Sequence, residues 1–394
     1  VGARCSFKDS NGYTRIILIV RILHCAERDV GYYYSIVVEV KCECECVALG
    51  CDWHEKNLIL KVCFPEAGSS MSENMLIQEA KRVAEHTSEF WALNHLPHLI
   101  DSITITYDDK NARQGNIKTV EETCEGCIMY ITVFEKLQPL SELEDLIDFA
   151  QVFYDILQIH RWLYQCARIL HRDLSISNIM FRRIEGKAYG VLNDFDLSSF
   201  VHDMATDPVS EFDLVRTGTR PFMSVDLLDP IWEGGHLYRH DLESLFFIMI
   251  CLACRYERPG VPAAEPRAFS KWFSGSDEEV HASKTVFYSD RSARKLPIQP
   301  YFTGFTDWLN SIYYWLCTAY QGRPQIRHPL KLLPARMRKN PQSQNNFGSR
   351  NTSYDWNTLG GIFTYADMRQ WMSSFQDHPL ETRWSGGNLD HFNQ

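Results

Sequence analysis

The 394-residue chain lacks a membrane-spanning run and an excess of positive charge. Its best apolar candidate, LFFIMICLAC at residues 245–254, has about half of the roughly 20 residues that a membrane span needs, and it suits a buried core helix. The net charge of −10 argues against general affinity for nucleic acid or for an anionic membrane. No signal-peptide pattern follows Val1, so we expect a fragment or a processed chain.

The chain also lacks the paired motifs of a zinc site, although it contains 13 cysteines. Cys42, Cys44 and Cys46 alternate with glutamates, a period of two that is typical of one face of a strand. Cys124 and Cys127 form a single C-x-x-C, and the two clusters together could supply four metal ligands. Because neither cluster has a second C-x-x-C or a histidine pair at ligand spacing, we favour reduced thiols over a metal site. Reduced thiols predict a cytoplasmic or nuclear protein.

The hydrophobic period changes part-way along the chain. Up to about Glu135, short β-branched and aromatic runs predict a mostly antiparallel sheet, interrupted by one helix over SENMLIQEAKRVAEH at 72–86. From about Asp148 the apolar residues recur every three or four positions, which predicts a long helix. Further helices are predicted at 240–255, 267–273 and 303–320. We divide the chain into an N-terminal extension (1–29), a β-rich lobe (30–135), a helical lobe (136–330), and a polar linker with a C-terminal segment (331–394).

The segment HRDLSISNIMF, residues 171–181, directly follows the long predicted helix. Its spacing fits the H-R-D-x-x-x-x-N template of phosphoryl transfer, in which Asp173 is the base and Asn178 a magnesium ligand. The next motif, VLNDFDLS, offers Asp194 as a second magnesium ligand. The intervening IMFRRIEGKAYGVLN predicts a hairpin that brings Asn178 and Asp194 together. Asp196 replaces the usual glycine, either as a further metal ligand or as an N-cap.

Two later segments complete the pattern, RTGTRPFMSVDLL at 216–228 and HDLESLFFIM at 240–249. With the preceding motifs they resemble a protein kinase, and specifically the fungal-type protein kinase domain family, as does WALNHLPHLID at 91–101. The resemblance covers roughly residues 55 to 320. It implies an α+β, bilobal protein-kinase-like fold with a β-rich N-lobe, one main N-lobe helix and a mostly helical C-lobe. It also implies ATP and Mg²⁺ as cofactors and a protein substrate.

The resemblance assigns the phosphate-binding lysine to Lys61, on the predicted strand LILKVCF. The alternative is a solvated lysine on an edge strand. The ion-pair partner of Lys61 is implied to be Glu73, with Glu79 as the second choice. Adenine is implied to bind backbone groups of Glu135 and Leu137, after ITVFEKL, while Lys136 would point to solvent.

On the acceptor side, the resemblance places Thr219 beside Asp173, where it would shape the acceptor pocket. Asp241 would anchor the backbone of the catalytic loop, and Arg172 would receive a phosphate from the activation segment. That segment is rich in acids around HDMATDPVSEFD, residues 202–213, so we expect a loop that is ordered without phosphorylation. Thr206 or Ser210 is the alternative phosphorylation site.

The glycine-rich loop departs most from the kinase template, because ERDVGYYYSIVVEV offers only Gly31 for close contact with phosphates. Ser175 also stands where serine/threonine kinases carry a lysine. The leading function is an ATP-dependent serine/threonine protein kinase. The alternatives are a pseudokinase that serves as a binding module and a small-molecule phosphotransferase, which pairs a similar loop with a later D-x-D.

Overall fold

The computed structural model describes residues 1–28, 33–44, 52–64, 72–107, 127–201, 216–289, 296–324 and 354–384. They form a β-rich lobe followed by a mostly helical lobe, so the predicted α+β bilobal fold is confirmed. Within these residues, no helix is long and apolar enough to cross a membrane.

The first lobe is built on one six-stranded antiparallel sheet with the strand order β1-β2-β3-β4-β6-β5. The strands are β1 (Arg4–Lys8), β2 (Thr14–Arg28), β3 (Tyr33–Cys42), β4 (Leu58–Phe64), β5 (Leu99–Tyr107) and β6 (Cys127–Glu135). Alternate residues such as Ile17, Val38 and Leu60 are buried on one face of the sheet. The predicted boundary between an extension at 1–29 and the lobe is wrong, because β2 pairs with β3 along most of its length.

Helix α1 (Glu73–His86) belongs to the first lobe and packs against the second. Ser72 caps its start by accepting a bond from the Met75 backbone N–H. The helix buries one stripe, Leu76, Ile77, Ala80 and Ala84, in the same apolar core that fills the second lobe. The observed bounds agree with the helix predicted at 72–86.

The second lobe surrounds two long buried helices, α2 (Leu146–Trp162) and α4 (Tyr238–Arg255). Its other helices are α3 (Val225–Leu228), α5 (Ser270–Ser274), α6 (Asp277–Ser289), α7 (Thr306–Gly322) and α8 (Tyr365–Met372). Its short strands are β7 (Gln138–Pro139), β8 (Ile169–Leu170), β9 (Ile179–Ile184), β10 (Lys187–Leu192), β11 (Ser199–Phe200), β12 (Tyr256–Arg258), β13 (Val261–Pro262), β14 (Ser374–Phe375) and β15 (His378–Pro379). The helices predicted at 240–255, 267–273 and 303–320 correspond to α4, α5 and α7.

The C-terminal segment, residues 354–384, is part of the second lobe, which corrects its predicted separation as a unit of its own. Tyr365 is buried and its hydroxyl lies 2.7 Å from His160 Nδ1, on α2. Trp384 stacks on Trp91 with ring centroids 6.2 Å apart, and its Nε1 donates to Glu89 at 2.8 Å. Aromatic side chains therefore fix this segment to the core. Of the predicted linker, residues 331–353 lie outside the described residues.

Candidate active site

Lys61 is in contact with three carboxylates, one from the first lobe and two from the second. Its Nζ is 2.9 Å from Glu73 Oε2, 2.8 Å from Asp194 Oδ1 and 2.8 Å from Asp196 Oδ2. Strand β4 supplies the lysine and the first turn of α1 supplies Glu73, while both aspartates follow β10. The alternative of a solvated lysine on an edge strand does not hold, because Lys61 is buried and β4 lies between β3 and β6.

The structure distinguishes the two candidate glutamates. Glu73 contacts Lys61 and also accepts a bond from the Phe195 backbone N–H at 2.9 Å. Glu79 instead forms a surface pair with Arg82, one turn further along the helix. Phe195 is fully buried, so Glu73 ties the first helix to the motif that carries Asp194.

One lysine facing three carboxylates leaves an excess of negative charge at this site. Burial raises the pKa of Glu73 to about 7, and the carboxylates of Asp196 and Asp194 add to that increase against the attraction of Lys61. Burial would also raise the pKa of Asp194, but the Lys61 ammonium outweighs it and holds that pKa below its ordinary value. Carboxylate oxygens of Glu73, Asp194 and Asp196 lie within 4.8 Å of one another. Clustered carboxylates of this kind suit a hard divalent cation such as Mg²⁺.

The hairpin of β9 and β10 brings the two predicted magnesium ligands to neighbouring backbone positions. Ile179 pairs with Leu192, and the Asn193 N–H donates to the Asn178 carbonyl at 2.9 Å, directly before Asp194. The Asn178 side chain donates from Nδ2 to the Asp173 carbonyl at 2.8 Å, which leaves its amide oxygen as the group that can ligate a metal. Asp194 itself adopts a left-handed backbone with φ of 66°. Strained residues of this type cluster at functional sites.

Asp173 is held by the segment that would bind the acceptor. Thr219 donates both its backbone N–H and its hydroxyl to Asp173 Oδ1, at 2.7 and 2.8 Å. Asn178 Nδ2 makes a longer contact of 3.3 Å with Asp173 Oδ2. Burial raises the pKa of Asp173, while the bonds from Thr219 oppose that increase. A raised pKa makes the carboxylate a stronger base.

Asp241 fixes the backbone of the catalytic loop from the first turn of α4. Its Oδ2 accepts the Arg172 N–H at 3.0 Å and His160 Nε2 at 2.8 Å, and its Oδ1 accepts His236 Nε2 at 2.8 Å. Although burial opposes it, the two histidines hold the pKa of Asp241 well below its usual range. The position of Asp241 was predicted from sequence, whereas the two histidines were not, because they come from separate segments without a shared motif.

The predicted phosphate receptor, Arg172, is buried and its guanidinium lies 3.5 Å from the Ser199 hydroxyl. The acidic centre of the activation segment, with Thr206 and Ser210, falls outside the described residues. At the far end of that segment Asp226 is paired with Arg239 and Arg323. These arginines overcome burial and lower the pKa of Asp226 strongly, so the segment is anchored by a buried ion pair.

The predicted adenine-binding linker follows β6. The Glu135 backbone N–H donates to the His98 carbonyl at 3.0 Å, so the carbonyl of Glu135 is the group that could serve adenine. Leu137 is buried beside it. Lys136 does not point to solvent as predicted, because Glu39 on β3 accepts its ammonium at 2.8 Å. Gly31, the remaining predicted nucleotide contact, lies outside the described residues.

Asp196 had two predicted roles, metal ligand or N-cap. Its carboxylate contacts Lys61, so the structure places it in the same carboxylate cluster as Asp194. Ser175, in the position of the usual lysine, is buried and bonds to the Ser177 hydroxyl at 2.8 Å. The acceptor side therefore has Asp173 and Thr219, with a serine in place of the usual lysine.

Comparison with known proteins agrees with this geometry. The family model described as "Fungal protein kinase" matches residues 63–253. These residues belong to the fungal protein kinase family. The matched part of the chain contains Glu73, Asp173, Asn178, Asp194 and Asp241, and it begins two residues after Lys61.

A solved structure described as "Structure of vaccinia related kinase 3" aligns with this chain at 14% sequence identity and a TM-score of 0.48. The alignment covers 79% of this chain and 84% of that chain. No curated protein matches the chain.

Proposed function

We propose that this chain is an ATP-dependent protein kinase that transfers the γ-phosphoryl group to serine or threonine hydroxyls of proteins. One observation carries the proposal. Lys61 Nζ lies 2.8 Å from Asp194 Oδ1, although the two residues are 133 positions apart in the sequence. Asp173, which precedes the β9–β10 hairpin that leads to Asp194, accepts a hydrogen bond from the Thr219 backbone N–H. Phosphoryl transfer needs a cation for the phosphates, oxygen ligands for magnesium and a positioned base, and these residues can supply all three.

The acceptor chemistry follows from the two oxygens of Asp173. Two donors from Thr219 hold Oδ1, so Oδ2, with its longer contact to Asn178, is the oxygen best suited to accept a proton. As the substrate oxygen bonds to the γ-phosphorus, its proton passes to Oδ2, and the bond to the β,γ-bridging oxygen breaks to release ADP. A base of this kind contributes about 10²- to 10⁴-fold in rate.

Asp194 and the amide oxygen of Asn178 are the residues that would hold Mg²⁺, which supplies charge neutralisation for the phosphates when bound. Asp196 is a third candidate ligand in the same carboxylate cluster. Lys61 would offer its ammonium to the phosphates, and Glu73 would keep it aligned through the 2.9 Å ion pair.

A pseudokinase that binds partners through the same fold is the second candidate. Two observations favour it: the sequence has a single glycine where kinases carry three, and Lys61 is already engaged by three carboxylates. In such a protein, the buried hydrogen bonds of Asp241 and the buried ion pairs of Asp226 would serve only to stabilise the fold.

The test is transfer of labelled γ-phosphate from ATP with Mg²⁺ to mixed serine, threonine and tyrosine peptides, followed by phosphoamino-acid analysis. We expect label on serine or threonine, and a loss of about 10²- to 10⁴-fold in Asp173→Asn with nucleotide binding retained. Asp377→Asn is the matched control, since Asp377 lies in an exposed turn where asparagine tolerates the left-handed backbone. Full activity in Asp173→Asn would contradict the assignment of the base. Nucleotide binding without any transfer by the wild type would favour the pseudokinase.

A further inference from the structure

Two cysteines and a histidine converge at the end of β3, far along the sequence from the catalytic loop. Cys42 and Cys44 are both buried, with their Sγ atoms 2.7 Å apart. His54 Nε2 lies 3.8 Å from Cys42 Sγ and 3.6 Å from Cys44 Sγ. The three potential ligand atoms therefore form a small triangle on one side of the N-lobe sheet.

The fold holds these three residues in place. Cys42 pairs with Ile17 in the sheet, and the Glu43 N–H continues the ladder by donating to the Ile16 carbonyl at 2.8 Å. Residues two apart along an extended backbone face the same side, which brings both thiols together. His54 belongs to the helical turn Asp52–Glu55, and that turn is anchored by Trp53, which is buried under the Arg15 guanidinium at 4.6 Å.

The spacing can be compared with a four-coordinate zinc ion. Bonds of about 2.3 Å to sulfur and about 2.0–2.1 Å to nitrogen at a tetrahedral angle separate sulfur from nitrogen by roughly 3.6 Å. The observed distances of 3.6 and 3.8 Å match that value. The two sulfurs, at 2.7 Å, are beyond the ~2.05 Å of a disulfide bond, and they would move apart by about 1 Å to share a metal.

We propose that Cys42, Cys44 and His54 bind a thiophilic divalent metal ion, with Zn²⁺ as the ion that this ligand set fits best. The two thiols lose their protons on binding, and His54 Nε2 gives up its 2.8 Å bond to the Cys44 carbonyl as its proton moves to Nδ1. A water molecule would take the fourth coordination position. Cys46 and Cys51 lie outside the described residues and are not part of the proposed site.

The metal would stabilise the lobe that carries Lys61. It would join the end of β3 to the helical turn just before β4, and Lys61 stands on β4 only seven residues after His54. This role is structural, so it does not depend on the proposed phosphoryl transfer. The sequence-based preference for plain reduced thiols overlooked His54, which is not at a spacing of any familiar zinc motif.

The test is metal analysis of the whole chain, purified under reducing conditions and dialysed against metal-free buffer. We expect a single bound zinc per chain, and replacement by Co²⁺ should give intense tetrahedral d–d bands with thiolate-to-cobalt charge transfer. Cys42→Ser, Cys44→Ser and His54→Ala should each weaken binding by at least about tenfold. Cys25→Ser, which removes an exposed thiol from the same sheet, is the matched control and should bind as the wild type does.

Several results would overturn the proposal. Absence of retained zinc in the wild type together with no thiolate-to-cobalt band would do so without reliance on any variant. So would an intact mass two hydrogens lighter that maps to a Cys42–Cys44 disulfide in protein kept reduced. His54→Ala is the most informative variant, since His54 is exposed and both buried cysteines remain. Unchanged cobalt spectra in that variant would remove the histidine from the site. None of these results bears on phosphoryl transfer, which is measured separately.

Discussion

Replacing Asp241 with alanine should destabilise the C-lobe and displace the catalytic loop together. The carboxylate accepts three buried donors, the Arg172 N–H, His160 Nε2 and His236 Nε2, at 3.0, 2.8 and 2.8 Å. A buried donor left without a partner costs about 1–3 kcal/mol. The backbone N–H is fixed in the chain and bears the full cost, whereas each histidine can rotate or lose its proton and bears less of it. We expect the free energy of unfolding to fall by about 3 kcal/mol or more in total.

The assay is urea denaturation followed by tryptophan fluorescence, with the thermal midpoint as a second measure. Asp277→Ala is the matched control, because Asp277 also lies in the first turn of a helix but its side chain is 61% exposed and pairs with Arg220. We expect the control to change stability by less than about 1 kcal/mol. An Asp241→Ala chain that unfolds at the wild-type urea concentration would show that these three bonds do not hold the loop, and would refute the argument.

Two further predictions concern buried groups away from the site. Burial lowers the pKa of Lys284 to about 7, whereas in the unfolded chain this pKa is near 10.5. Between these two pH values the unfolded state holds the proton and the folded state does not, so the free energy of unfolding rises with pH. From pH 7 to pH 9, the free energy of unfolding of the wild type should therefore rise by about 2 kcal/mol relative to that of Lys284→Met, as measured by urea titration. The same pH dependence of stability in both proteins would contradict the lowered pKa. Trp384→Ala should cost about 3 kcal/mol and expose residues 354–384 to protease, because Trp384 is buried and bonds to Glu89. Tyr13→Ala, at a residue of the first lobe that is 56% exposed, is the control, and equal protease sensitivity in the two variants would count against the docked segment.

The sequence predicted those parts of the site that are contiguous. Asp173, Asn178 and Asp194 stand at template spacing around a predicted hairpin, and the structure has that hairpin as β9 and β10. The choice of Glu73 over Glu79 followed from the resemblance to the kinase family, whose spacing Glu73 matches. Local patterns suffice here because a turn of helix or a two-residue loop determines which side chains are neighbours.

The contacts that sequence reasoning missed join distant segments. Asp196 reaches Lys61 from the other lobe, and His160 on α2 approaches Asp241 from 81 residues away in the sequence. Helix α6 was also missed, since three acids in its first turn and few apolar residues hide its period. Such contacts depend on how the lobes and helices pack together, which no local period encodes.

The most direct test of the central claim, that Lys61 and Asp194 form a magnesium–nucleotide site, is an ATP titration with and without Mg²⁺ by calorimetry. We expect the wild type to bind ATP more tightly when Mg²⁺ is present. Asp194→Asn should lose that enhancement, since the variant keeps the shape of the side chain but removes the charge that faces Lys61 at 2.8 Å. ATP binding that ignores Mg²⁺ in both proteins, or no ATP binding by the wild type, would contradict the claim.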